Sequence, residues 1–126
     1  MQSDEMLFFD AHPDAWPIYA HLREKLLALD ENTSIEVKKT QISFKNPRLF
    51  AAVSFLPARR AALRPKTYIT LTLGLFRPIE SARVDVKCEP YPNRWTHHIT
   101  IGGVGEIDGE LMEWAAEAAA CARMKR

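Results

Sequence analysis

Apolar positions recur along the chain with two different periods, and the change of period divides it. Ala15, Tyr19, Leu22, Leu26 and Leu29 follow one another at steps of 4, 3, 4 and 3, which places them on one face of a helix. Trp16 and Ile18 flank that face. Asp14 stands where an N-cap is expected, and Pro17 falls in the first turn, where a missing N–H costs nothing. The polar run Asp30-Glu31-Asn32-Thr33 is expected to end the helix. A second helical stripe, Leu111, Trp114, Ala118 and Cys121, predicts a C-terminal helix starting at Asp108. Cys121 lies on its apolar face, and a free cysteine there behaves as a small hydrophobe.

Between the helices the period is 2. Ile35 and Val37 alternate with Ser34, Glu36 and Lys38, and Ile42 and Phe44 with Gln41, Ser43 and Lys45. Asn46-Pro47 predicts a tight turn before a strand over Leu49–Leu56. Ile69, Leu71 and Leu73 alternate with Tyr68, Thr70 and Thr72, and Val84, Val86 and Cys88 with Arg83, Asp85 and Lys87. Pro90-Tyr91-Pro92-Asn93 reads as a turn, and Trp95–Ile101 as the last strand. Short connections favour an antiparallel meander with helices on one face. The expectation is one α+β domain over residues 1–126: an N-terminal helix, an antiparallel sheet of five or six strands, and a C-terminal helix packed on one face. No internal repeat, low-complexity tract or linker interrupts it.

Composition fits that reading. The chain has 126 residues, 47% hydrophobic and 26% charged, as expected of one globular domain rather than a disordered segment. No apolar run approaches the roughly 20 residues that span a bilayer. Met1 to Asp10 carries three acids and no base, unlike a secretory signal. Two cysteines are too few for a disulfide framework, so a reducing cytoplasm is expected.

Charge is segregated. Residues 1–37 carry −6, residues 38–98 carry +9 and residues 99–126 carry −2, for a total of +1. Folded onto one surface, the 12 central bases would attract phosphates and other anions. Alternatively, the acidic terminal segments pack over the basic sheet edges and neutralise them.

Two stretches carry a resemblance. Lys39-Thr40-Gln41-Ile42-Ser43-Phe44 with Leu49-Phe50-Ala51, and Arg94-Trp95-Thr96-His97-His98 with the aliphatic strand after it, resemble the signatures of DUF5655, a bacterial domain family of unknown function. The similarity runs over about residues 12–122 and includes the Asp108-to-Trp114 helix start. The resemblance implies a small α+β domain like the YdhG and YjbR groups, some of which are suspected DNA binders, and kinship with domains fused to nuclease-like partners. It transfers no catalytic residues.

Few chemistries have support. Adjacent strand residues point to opposite faces, so His97 and His98 do not chelate one metal as neighbours. His97 shares a face with Ile99 and Ile101 and is expected semi-buried, its ring bonded to the backbone. His98 shares a face with Thr96 and Thr100 and can reach a ligand. His98-Ile99-Thr100-Ile101 also resembles half of a 2H phosphoesterase site, which needs two such elements. Neither His12 nor His21 has a threonine two positions on. Cys88 and Cys121 lie 33 positions apart, with no Cys-x-x-Cys and no His-Glu-x-x-His, so no metal site and no cofactor is expected. Gly102-Gly103-Val104-Gly105 precedes Glu106 and Asp108, which would repel phosphate, and reads as a flexible turn. No Gly-x-Ser-x-Gly elbow is present.

Cations with aromatic company remain. The candidate ligand-binding residues are Lys39, Gln41, Ser43 and Lys45 around the second strand, Arg59, Arg60 and Arg64 in the basic loop Pro57–Lys66, and Arg94, Trp95 and His98 on the last strand. Cations locate phosphates, while an exposed aromatic ring stacks a base; the competing reading buries Trp95 in the core. These residues predict a non-catalytic module for nucleic acid or another polyanion. The alternatives are a protein-interaction or small-ligand module acting as a homodimer, and a phosphate-ester enzyme using His98. No membrane partner is expected.

Overall fold

A computed structural model of the chain describes residues 3–124. Three α-helices, α1 (Ser3–Phe8), α2 (Trp16–Leu27) and α3 (Gly109–Met124), accompany six strands, β1 (Ser34–Val37), β2 (Ile42–Lys45), β3 (Leu49–Ser54), β4 (Ile69–Leu75), β5 (Val86–Tyr91) and β6 (Arg94–Ile101). The strands form one antiparallel sheet in the order β1-β2-β3-β4-β6-β5. The α+β class and the helices α2 and α3 are as the periodicity predicts.

The period-2 pattern sorts side chains onto two faces. Register aligns Val37, Ile42, Val53, Leu71 and Ile99 across five strands. This row and its neighbours Phe44, Ala51, Ile69, Leu73 and Ile101 face the helices, and all but the half-buried Val37 are buried. Tyr19, Leu22 and Leu26 of α2, and Leu111, Ala115 and Ala118 of α3, close the core over them. The opposite face carries a second row, Glu36, Ser43, Ala52, Thr72, His98 and Val86.

Several boundaries differ from the periodic reading. A further helix, α1, precedes the expected first one. Asp14 does not cap α2: it lies within a 3-10 turn, Pro13–Ala15, and Ala15 occupies the N-cap position without a side-chain cap. Helix α2 stops at Leu27, so Leu29 packs on the core from outside it. Asp108 does cap α3, its Oδ1 accepting the Leu111 N–H at 3.0 Å. The meander holds through β4 and then breaks, because β6 inserts between β4 and β5. Strand β5 runs through Pro90 to Tyr91, shifting the hairpin turn to Pro92-Asn93, where Asn93 takes φ 61°. A proline is tolerated there because β5 is an edge strand. Gly102–Gly105 runs into a 3-10 turn, Val104–Glu106, with the Gly102 N–H donated to Glu106 Oε2 at 3.1 Å.

No described helix is long and apolar enough to cross a membrane.

Candidate functional site

The polar face of the sheet holds a cleft of about 660 Å³, within the range of small-molecule sites. Its floor is Thr72 on β4 and His98 on β6, adjacent in register. One side is the β1–β2 turn, Lys39, Thr40 and Gln41, and another is the end of β3, Ser54, Phe55 and Leu56. Leu7, Phe8, Ala11 and His12 complete the wall.

Each wall is held by identifiable contacts. Helix α1 carries the fully buried Glu5, which accepts hydrogen bonds from the Tyr19 hydroxyl and from Arg23 Nε at 2.7 Å. Phe9 packs against Tyr19 at 4.8 Å and edge-on to Trp16 at 5.4 Å. The buried carboxylate and the aromatic cluster therefore pin α1 to α2. Phe8 stacks on Phe55 at 5.5 Å, and the His12 ring lies 4.1 Å from the Phe55 ring. Phe55 and Leu56 are themselves fixed, because the Tyr68 hydroxyl donates to the Phe55 carbonyl at 3.0 Å and Thr70 Oγ1 to the Leu56 carbonyl at 2.6 Å.

The electrostatics of the cleft follow from its lining. Among the described residues that line it there is one lysine, there are two imidazoles, and there is no carboxylate. His98 Nδ1 is 2.8 Å from Thr72 Oγ1. Burial pushes the His98 imidazole below its usual titration range, since the charged form loses hydration without gaining a counter-charge. The next residue behaves differently. His97 is fully buried on the helix side, its Nε2 accepting the Ile79 N–H at 2.9 Å, so its Nδ1–H faces the Leu73 carbonyl at 3.3 Å. Its pKa is lowered, chiefly by burial. The expected backbone-bonded structural histidine is there, more deeply buried than alternation alone suggested.

The ten predicted site residues do not form one group. Lys39, Gln41 and His98 line the cleft. Ser43 is fully buried beside it and accepts a hydrogen bond from Gln41 Nε2 at 2.9 Å. Lys45 is paired with Glu36. Arg59 donates to Asp85 Oδ1 at 2.9 Å and to the Thr100 carbonyl at 3.4 Å. Arg60 and Arg64 lie at the ends of a short 3-10 turn, Ala61–Leu63, with Arg64 5.7 Å from the centre of the Tyr68 ring. Arg94 sits 4.4 Å over Phe76, and with the half-buried Trp95 it lines a separate pocket of about 320 Å³.

Among the described residues, five of the 12 central bases form ion pairs with carboxylates: Lys45 with Glu36, Arg59 with Asp85, Arg77 with Glu117, Arg83 with Asp108 and Glu110, and Lys87 with Glu80. Three of these carboxylate sets come from the acidic terminal segments. The remaining bases include Lys38, Lys39, Arg60, Arg64 and Lys66, which belong to the β1–β2 and β3–β4 connections. The register Val37–Ile42–Val53 and Ser54–Thr70 makes both connections leave the same end of the sheet. Lys66 shares a smaller pocket with Ala11 and His12, which also line the cleft.

Thr72, Ser54, Phe55, Phe8 and His12 are absent from the sequence-based site. Thr72 was legible in the alternation of Tyr68, Thr70 and Thr72. The contribution of Phe8 and His12 was not, because it depends on how α1 folds back over the sheet. Among the described residues no group of three or more His, Cys, Asp or Glu side chains is placed to hold a metal ion.

One family model, described as a domain of unknown function (DUF5655), matches residues 5–119. The chain belongs to that family. No curated protein and no solved structure matches it.

Proposed function

We propose that this member of the DUF5655 family is a binding module for a small anion with a flat apolar body, of which a mononucleotide is the simple case. The supporting observation is the lining of the polar-face cleft. An aromatic wall, Phe8 and Phe55, stands with Lys39 and His98 around one space, without a lining carboxylate to repel an anion. A ring stacked on such a wall contributes about 1–3 kcal/mol, and an exposed lysine contact up to about 1 kcal/mol. The test is an amide chemical-shift titration with AMP, adenosine and inorganic phosphate. AMP should bind more tightly than either fragment, with the largest shifts at Thr40, Gln41, Thr72 and His98. Lys39→Ala should weaken AMP by up to about 5-fold, and Phe55→Ala by about 5-fold or more. Shifts scattered away from the cleft, or none, overturn the reading.

A second reading has its own support. Arg60, Arg64 and Lys66, which lack carboxylate partners among the described residues, lie at the same end of the sheet as the cleft, and this favours a nucleic-acid strand or other polyanion running across that end. Fluorescence anisotropy with a labelled single-stranded oligonucleotide separates the two. Polyanion binding should fall steeply with salt, and less steeply after Arg60, Arg64 and Lys66 are replaced by alanine. Mononucleotide binding should ignore those three changes.

A further inference from the structure

His98 lies in the floor of the cleft, His12 lines it from the turn after α1, and Lys39 lines it from the β1–β2 turn. An imidazole is the side chain best suited to take up or release a proton near neutrality, and acid–base work on a phosphodiester needs one of each. We propose that this cleft cleaves an RNA-type phosphodiester, with His98 as general base, His12 as general acid and Lys39 as the cation opposite the phosphoryl oxygens; the proposal rests on the nucleotide reading above.

One tautomer of His98 gives it the geometry of a base. Thr72 holds Nδ1, and with the Nδ1 proton directed to Thr72 Oγ1, Nε2 keeps the lone pair. Burial favours the neutral ring. His12 is exposed, its ring lies against Phe55, and it lines the same cleft as His98, so both imidazoles border the space a phosphate would enter. The nucleophile belongs to the substrate. His98 Nε2 takes the proton of the ribose 2′-hydroxyl as the 2′-oxygen bonds to phosphorus. The bond from phosphorus to the 5′-oxygen breaks, and protonated His12 delivers a proton to that leaving oxygen. The products are a 2′,3′-cyclic phosphate and a free 5′-hydroxyl. One proton has moved in effect from the 2′-oxygen to the 5′-oxygen, so no water or co-reactant is consumed. His98 is left protonated and His12 neutral, and exchange with solvent restores both. Lys39 compensates the charge that accumulates on the phosphoryl oxygens during attack.

The experiment incubates the full chain with the dinucleotide uridylyl-3′,5′-adenosine and, in parallel, its deoxy counterpart, with products separated by chromatography. Cyclic phosphate should form from the ribose dinucleotide alone. His98→Ala and His12→Ala should each lower the rate about 100-fold or more. His98→Asn, which keeps a partner for Thr72, should be equally slow while circular dichroism stays native. The rate should rise and then fall with pH, and Arg48→Ala should leave it unchanged. AMP binding without cleavage overturns this inference and leaves the binding reading standing. Cleavage that survives replacement of both histidines also overturns it, as the mark of a contaminating nuclease. Failure to bind AMP, with no cleavage, removes both readings.

Discussion

Replacing Arg59 should destabilise the fold, whereas its neighbour Arg60, of the same residue type and in the same loop, should be dispensable. The Arg59 side chain is 26% exposed and the Asp85 carboxylate 9%, so their 2.9 Å contact is a largely desolvated pair that joins the β3–β4 loop to the entrance of β5. Asp85 Oδ2 also accepts the Thr100 N–H at 2.7 Å. Burial, the largest single influence on Asp85, pushes its pKa up, but the Arg59 guanidinium and the Thr100 N–H outweigh it and hold the carboxyl below its usual range. A hydrogen bond to a charged group contributes about 1.5–3 kcal/mol. Arg59→Met keeps most of the apolar stem, so it should cost about 2 kcal/mol. For a chain of this length that corresponds to roughly 6–10 °C in Tm, at about 3–5 °C per kcal/mol. Arg60→Ala should cost less than about 0.5 kcal/mol. Thermal melts at several pH values provide the check. The folded pKa of Asp85 lies below its unfolded value of about 3.9, so the stabilisation is present above that pH and is lost as pH falls through the folded value. The gap between wild type and Arg59→Met should therefore be full at neutral pH and shrink in acid. Equal melting temperatures for Arg59→Met and Arg60→Ala at neutral pH would refute the reasoning.

Other consequences can be measured with the same protein. A Cβ at Gly102 would fall 2.7 Å from Pro65 Cγ and 3.0 Å from its Cβ; that ring cannot swing aside, so Gly102→Ala should lower the urea midpoint by the equivalent of about 1–3 kcal/mol. His97→Leu leaves the buried Ile79 N–H without its acceptor and should cost about 1–3 kcal/mol in a denaturant titration. Because burial lowers the pKa of both His97 and His98 in the folded state, the unfolded chain binds more protons below about pH 6.5, and stability should decline as pH falls through that range. His98→Asn should flatten part of that decline in melts recorded across it. An aryl sulfate, whose charge is constant with pH, should bind the cleft more tightly as His98 becomes protonated; calorimetric affinities that do not change with pH would separate His98 from the anion.

The residues themselves determined much of this protein. Steps of 3 and 4 from Ala15 to Leu26 and from Leu111 to Cys121, and steps of 2 in between, specify two helices and a half-buried sheet, because only one face of each element can leave water. The same alternation separated His97 from His98, but Thr72 came beside His98 only through the pairing of β4 with β6. Three features depended on contacts between distant segments. Helix α1 has only six residues, too few to form on local preference; it exists because Glu5 meets Tyr19 and Arg23 and because Phe9 enters the core. The place of β6 between β4 and β5 was hidden because a hairpin reads the same in sequence whichever of its strands takes the inner position. The charge layout was settled in space as well: Arg77 and Arg83 met carboxylates on and before α3, while among the described residues Lys39 and Lys66 did not, since ion pairing depends on separations of a few ångströms that no count along the chain contains. The cleft arises from the second kind of information, for its floor needs β6 paired beside β4, and its walls exist only once α1 has folded back over the sheet.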